Sequence, residues 1–313
     1  MLTVMRIAII GTGAIGAFYG ACLDRAGHEC WFLGRSDVAA IVDKGLRVAS
    51  PTGDMHLQPC RVTDEPTAIP PCDAVLVTIK TTGNSDLPLL LQVPLTETGI
   101  VCCLQNGLDN EAEIARLLPA ERVCGGLCFV CCNRLAPGEV VHLDYGNLML
   151  GSHRPGPPPA ALAELAAAWR QSGLTVDFLP DLAGARWRKL VWNVPYNGLS
   201  VLLDATTDRL VADAGLRQLV DELMQEVRAA AAAHGFPIED DFLAEMVART
   251  NAMKPYATSM LLDRRAGRRL EVEHIFGNPV RAAAEVGVAV PRMAMLYRQL
   301  AALDGMLVDH TSA

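Results

Sequence analysis

The 313-residue sequence predicts an α/β half built on a parallel sheet, followed by an all-helical half. Three observations carry this. A glycine turn, Gly11-Thr12-Gly13-Ala14-Ile15-Gly16, follows the apolar run Arg6–Ile10 and precedes a small, helix-compatible run from Ala17 to Ala26. Residues 73–79 and 100–104 are continuous apolar runs, the pattern of strands buried on both faces. Beyond Pro180-Asp181 the β signals fade and helical periodicity takes over.

Strand, glycine turn and helix together are the context of a Rossmann-like nucleotide site. Gly11 permits the tight turn, Gly13 lets the backbone approach a pyrophosphate, and Gly16 lets the helix pack closely on the strand. The helix N-terminus, from Ala14 and Ile15 onward, offers free N–H groups and partial positive charge to the phosphates. We therefore divide the chain into residues 1–180, a Rossmann-like NADP-binding domain, and 181–313, an all-helical substrate and catalytic domain.

Composition narrows the function classes. The net charge is −8 and no Lys/Arg run forms a long patch, which argues against nucleic acid or an anionic membrane as the main partner. No apolar run reaches the roughly 20 residues that span a bilayer. The first residues lead straight into a strand, so no signal peptide is expected. Ten cysteines lie mostly in apolar stretches, where they read as small hydrophobes. Cys128 and Cys131 form a CxxC, but no second pair or His cluster completes a metal site, so no metal is expected. A reducing cytoplasm fits this cysteine usage.

The second strand, Glu29–Leu33, ends in Gly34-Arg35. A guanidinium at this position suits a 2′-phosphate, which points to NADPH; Asp37, two residues on, keeps some NAD use open. Residues 41–61 read as a helix end and short strands around Pro51-Thr52-Gly53. The strand at 73–79 ends in Lys80, and that at 100–104 in Gln105-Asn106-Gly107. Both ends face the ligand crevice of an open α/β sheet. Residues 123–132 are β-rich, and 138–151 alternate enough to suggest a hairpin-like pair. Ala160–Gln171 reads as a helix and Leu174–Leu179 as a last short strand.

The helical half opens with Arg186-Trp187-Arg188-Lys189, and Lys189, Asn193 and Asn197 stand four apart. On one helix they share a face, an ammonium and two carboxamides in a row among Leu, Val and Trp. Burying the amides without partners is costly, so this stripe needs something to bind. Pro195 should kink the helix and free the carbonyl of Val191. Further on, Ser259 starts another helix. Arg264, Arg265, Arg268 and Arg269 read as a solvated helix end or as partners of Glu271 and Glu273, between which periodicity does not choose.

In this order and spacing, these residues resemble the ketopantoate reductase (2-dehydropantoate 2-reductase) family over essentially the whole chain. The carriers are the glycine turn, Lys80, Gln105-Asn106-Gly107, Arg188-Lys189 through Asn193 and Asn197, and Ser259 through Glu271 and Gly277. The resemblance implies a Rossmann-like domain, an all-helical domain and an active site in the cleft between them. It implies Lys189 and Glu271 as catalytic residues, with Asn106, Asn193, Asn197 and Ser259 contacting substrate or orienting the lysine. It further implies Arg35 and Lys80 as cofactor contacts. Two departures stand out: Gly198 where the family often has proline, and Thr207-Asp208 where it usually has an Asn-Gly pair. These put the identity of the 2-oxo acid in question.

The implied reaction is NADPH-dependent reduction of ketopantoate to pantoate in pantothenate biosynthesis, with Lys189 as general acid and Asn106 beside the nicotinamide. Two rivals remain open: an NADP-dependent dehydrogenase of a different 2-oxo or hydroxy acid, and a non-catalytic NADPH-sensing protein. Apolar C-terminal helices could bury an interface, which leaves a homodimer open.

Overall fold

A computed structural model describes residues 4–311, with side chains to 307. The chain divides into two compact units. The first comprises residues to Gln105 together with Asn110–Leu182; the second comprises Asn106–Asp109 together with the residues from Ala183 onward. The detached tetrapeptide is a finding that no sequence pattern announces.

The first unit runs β1 (Arg6–Ile10), α1 (Ala14–Arg25), β2 (Glu29–Leu33), α2 (Val38–Lys44), β3 (Leu46–Ala49), β4 (Met55–Leu57), β5 (Val62–Thr63), β6 (Cys72–Val77), α3 (Leu87–Leu90), β7 (Leu95–Cys103), α4 (Asn110–Ile114), β8 (Val123–Ala136), β9 (Glu139–Ser152), α5 (Ala160–Gln171) and β10 (Val176–Phe178). The strand order is β4-β3-β9-β8-β7-β6-β1-β2-β5, with β10 beside β9. From β8 to β5 neighbouring strands are parallel. The chain leaves β1 toward β2 on one side and returns at β6 on the other. The switch point, where open α/β sheets bind ligands, therefore lies between β1 and β6.

Alternation along the central strands sends side chains to two apolar layers. Ile7, Ile9, Ala74, Leu76, Ile100 and Cys102 pack on one face, with Phe18, Tyr19, Leu162 and Trp169 from α1 and α5. Ala8, Ile10, Val75, Val77, Val101 and Cys103 pack on the other, with Leu87 and Ile114 from α3 and α4. Covering both faces is what makes these strands read as unbroken apolar runs. One expectation is corrected: residues 138–151 are not a pair in themselves. Residues 139–152 form a single strand, antiparallel to β8, and its alternation reflects the exposed far half of that hairpin. The first helix also starts earlier than its apolar run, at Ala14 inside the glycine turn.

The second unit contains α6 (Leu182–Leu203, its first residue belonging to the first unit), α7 (Thr207–Ala212), α8 (Ala214–Ala233), α9 (Asp240–Ala252), α10 (Ser259–Arg265), a π-helical turn at Glu273–Gly277, α11 (Asn278–Glu285) and α12 (Pro291–Thr311). Its separate core includes Leu190, Val191 and Val194 of α6, Leu223, Met224 and Val227 of α8, and Met293, Leu296 and Leu300 of α12. No helix among the described residues is long and apolar enough to cross a membrane.

Candidate active site

The glycine turn is built by close approach. Gly11 has φ +109°, a conformation that favours glycine, and its N–H donates to the carbonyl of Leu33 at 2.9 Å. A Cβ on Gly16 would stand 2.0 Å from the carbonyl oxygen of Gly11, so only glycine lets α1 begin here. Gly13 is the N-cap of α1 and caps it with no side chain, and nothing lies within 4 Å of where its Cβ would be. The free N–H groups and the open space above Gly13 fit a pyrophosphate. Thr78, which sequence reasoning passed over, secures the turn from below. Its hydroxyl donates to the carbonyl of Ile10 at 2.8 Å and lies 3.1 Å from that of Gly11.

At the end of β2 the Arg35 side chain is 93% exposed, and its nearest carboxylate oxygen, on Asp86, is 3.9 Å away. A guanidinium so loosely held remains available to a phosphate. Asp37, by contrast with the exposed Arg35, is already engaged by the protein. The residue is buried, and Arg134 grips it in a fork, Nε to Oδ2 at 3.0 Å and Nη2 to Oδ1 at 2.6 Å.

The ends of β6 and β7 are tied by a buried amide. The Gln105 side chain donates to the carbonyl of Ile79 at 2.9 Å and to Oδ1 of Asn84 at 2.7 Å, and Asn84 donates to Glu113 at 2.7 Å. Gln105 thus supports the loop that carries the exposed Lys80. The next residue, Asn106, is half-buried and belongs to the second unit. Gly107 and Leu108 dock on the π-helical turn. The Leu108 N–H donates to the carbonyl of His274 at 2.8 Å, and a Cβ on Gly107 would meet that oxygen at 2.5 Å. Asn278 donates to the carbonyl of Leu108 at 2.8 Å.

In the second unit α6 runs through Pro195 without ending. Lys189 is half-buried, whereas Asn193 and Asn197 are buried. The Asn197 amide donates to Oδ1 of Asn193 at 3.3 Å, leaving Asn193 Nδ2 and Asn197 Oδ1 buried and without a partner. Their mutual bond engages one amide nitrogen and one amide oxygen and leaves the other nitrogen and the other oxygen. Arg188 faces elsewhere: it pairs with Glu239 at 2.8 Å and stacks 4.0 Å over the ring of Phe242.

Ser259 is presented by a tie the sequence did not reveal. Buried Ser200 donates to the carbonyl of Asn197 at 3.2 Å and shares a 2.8 Å hydrogen bond with the hydroxyl of Thr258. Thr258 in turn caps α10 by accepting from the N–H of Leu261. The end of the amide stripe and the start of α10 are thereby fixed to each other.

The structure separates the two glutamates. Glu271 is buried at the entrance to the π-helical turn, a distortion frequent at functional sites. Glu273 is exposed and engaged by Arg281 at 2.9 Å and the Tyr297 hydroxyl at 2.7 Å. The four arginines do not partner these acids, contrary to one expectation. Arg265 pairs with Asp204, Arg268 with Asp263 and Arg269 with Asp304, while Arg264 donates to the carbonyl of Val201.

Both departures from the family pattern have local reasons. A Cβ on Gly198 would lie 2.6 Å from Leu296 and 3.0 Å from Phe276, so its absence lets α6 close on those side chains. Buried Thr207 exchanges hydrogen bonds with the backbone of Tyr256, donating its N–H at 3.0 Å and accepting at Oγ1 at 3.3 Å. Among the described residues no His, Cys, Asp or Glu group could hold a metal ion. Burial pushes the thiols of Cys60, Cys72, Cys124 and Cys132 up to about 12.

Comparison with known proteins agrees with these features. The family described as ketopantoate reductase PanE/ApbA matches residues 7–155, and its C-terminal counterpart matches 181–304. The 2-dehydropantoate 2-reductase of Nostoc sp. is 45% identical over 304 residues, 96% of this chain and 95% of that protein. The crystal structure of 2-dehydropantoate 2-reductase from Geobacter metallireducens has a TM-score of 0.91 at 43% identity, covering 95% of this chain and 99% of that one. The one from Methylococcus capsulatus has a TM-score of 0.89 at 38% identity, covering 97% and 98%. With both family models matched over most of its length, this chain belongs to the ketopantoate reductase family and is a nicotinamide-dependent oxidoreductase of Rossmann-like fold.

Proposed function

We propose that this chain reduces 2-dehydropantoate to pantoate with NADPH, and that Lys189 supplies the proton. The observation that carries this reading is the amide pair one and two helical turns beyond Lys189: a buried nitrogen and a buried oxygen, each without a protein partner. Leaving them so costs roughly 1–3 kcal/mol per group. A substrate with hydroxyl and carbonyl oxygens removes that cost, whereas an apolar occupant would not. The name and likeness of the Nostoc relative support the same substrate.

In this account residues 1–180 hold the cofactor and residues 181–313 the substrate. The glycine turn 11–16 receives the pyrophosphate, Arg35 the 2′-phosphate, and Lys80 stands on the side where cofactor and substrate meet. When bound, the reduced nicotinamide supplies a hydride to the keto carbon. The developing alkoxide must be protonated or screened as it forms, and the Lys189 ammonium does this as general acid. Asn193 and Asn197 hold the substrate and orient the lysine. Glu271 accepts a hydrogen bond from a substrate hydroxyl or shares the proton with Lys189. Ser259, fixed through Thr258 and Ser200, meets the substrate carboxylate, and Asn106 completes the pocket. Ten cysteines without a disulfide suit a reducing cytoplasm.

Oxidation of NADPH followed by absorbance, across a panel of 2-oxo acids, tests the reading. The expected result is turnover of 2-dehydropantoate with the highest kcat/KM of the panel, and a preference for NADPH over NADH. Turnover of another 2-oxo acid alone would replace the substrate, and cofactor binding without any turnover would leave a sensor.

A further inference from the structure

An ion pair between Asp37 and Arg134 lies at the loop that follows β2, beside the glycine turn. Asp37 is the residue before α2, where a carboxylate ordinarily accepts from the first free N–H groups of a helix. Here it makes no such bond. Its oxygens are instead occupied by three donors: Arg134 Nε at 3.0 Å, Arg134 Nη2 at 2.6 Å and the Ser36 hydroxyl at 2.9 Å. Arg134 lies far out on β8, paired across from Val140. The turn joining β8 to β9 abuts α2, since a Cβ on Gly138 would stand 3.0 Å from Ile41. The hairpin thus delivers a cation from 97 residues away to the loop that carries Arg35.

That loop borders the nucleotide turn. A Cβ on Gly34 would meet Thr12 at 3.1 Å, and the carbonyl of Leu33 holds the N–H of Gly11. Asp37 is therefore an acid at the ribose end of a dinucleotide site, a place where a free carboxylate accepts ribose hydroxyls and repels a 2′-phosphate. We propose that Arg134 is a coenzyme-selectivity residue, occupying the Asp37 carboxylate so that a 2′-phosphate can be accepted beside Arg35. Together Arg35, Asp37 and Arg134 carry one positive charge; without Arg134 they carry none. Arg134 touches Asp37 rather than the cofactor in this account, so it acts as a positioning residue.

The inference rests on the reading that NADPH binds through Arg35, and the test separates the two. Dissociation constants for NADPH and NADH are measured by calorimetry on the full chain, alongside kcat/KM for each, for the wild type, Arg35→Ala, Arg134→Gln, Asp37→Asn and the Asp37→Asn/Arg134→Gln pair. Arg134→Gln should weaken NADPH about tenfold, the scale of one added unit charge at partly solvated range, while NADH is unchanged or improved. The double variant, with no charge left to disarm, should recover the NADPH-to-NADH ratio to within about threefold of wild type. Equal weakening of both cofactors by Arg134→Gln, no change in either, or a double variant no better than the single would show a merely structural pair and overturn the inference. If Arg35→Ala leaves NADPH affinity intact, the Arg35 reading fails and the inference with it. If Arg35→Ala weakens NADPH while Arg134→Gln spares the ratio, the inference fails alone.

Discussion

Asn193 and Asn197 show how much a single pair of side chains determines. Asparagine is a poor interior helix residue, and two of them buried one turn apart satisfy only half of each other. The leftover nitrogen and oxygen call for a polar partner, which is why the proposed substrate rests on them more than on the lysine alone. Elsewhere one carboxylate and its two donor residues set an acid response. Glu29 accepts from Arg6 at 2.8 Å and from the indole of Trp31 at 2.8 Å, which holds its carboxyl down to about 2. A carboxylate lowered in the folded state contributes stability above its ordinary pKa of 4.5, and loses that contribution as pH falls toward 2. Glu29→Gln should therefore cost stability at neutral pH, by less than about 1 kcal/mol for so solvated a pair. Its deficit should shrink between pH 4.5 and 2. Urea midpoints across that range measure it, and a deficit independent of pH would discount the charge.

At the scale of elements, α6 combines three jobs that the sequence spells out unevenly. The polar stripe was legible because positions four apart on a helix share a face, and the residues between them are apolar. Its junction with α10 was not, because Ser200 and Thr258 are ordinary residues until the fold brings them within 2.8 Å. Gly198 read only as a departure from a family pattern, and the structure supplies its reason in Leu296 and Phe276. Gly198→Ala should destabilise the protein by about 1–3 kcal/mol, as overpacking does, measured by thermal or urea unfolding. A neutral effect would mean that Leu296 moves aside. The glycine turn was legible to the residue, since Gly11 and Gly16 answer steric needs and Gly13 leaves open space, but its underpinning by Thr78 required knowing that β6 lies beside β1.

For the whole molecule, continuous apolar runs and the change in periodicity near residue 180 identified a parallel sheet followed by helices. The strand order and the assignment of Asn106–Asp109 to the second unit depend on pairings between distant residues, which local patterns do not encode. The same limit hid Arg134, and burial, which sets Glu271 apart from the exposed Glu273, is likewise not written in the local period. The proposed division of work gives the cofactor to one unit, and the proton and the substrate contacts to the other. The most direct test is kcat for 2-dehydropantoate reduction by Lys189→Ala, with NADPH affinity measured on the same sample. The account expects kcat to fall by roughly a thousandfold while NADPH affinity stays within a factor of about two. Near-normal turnover by Lys189→Ala would contradict it.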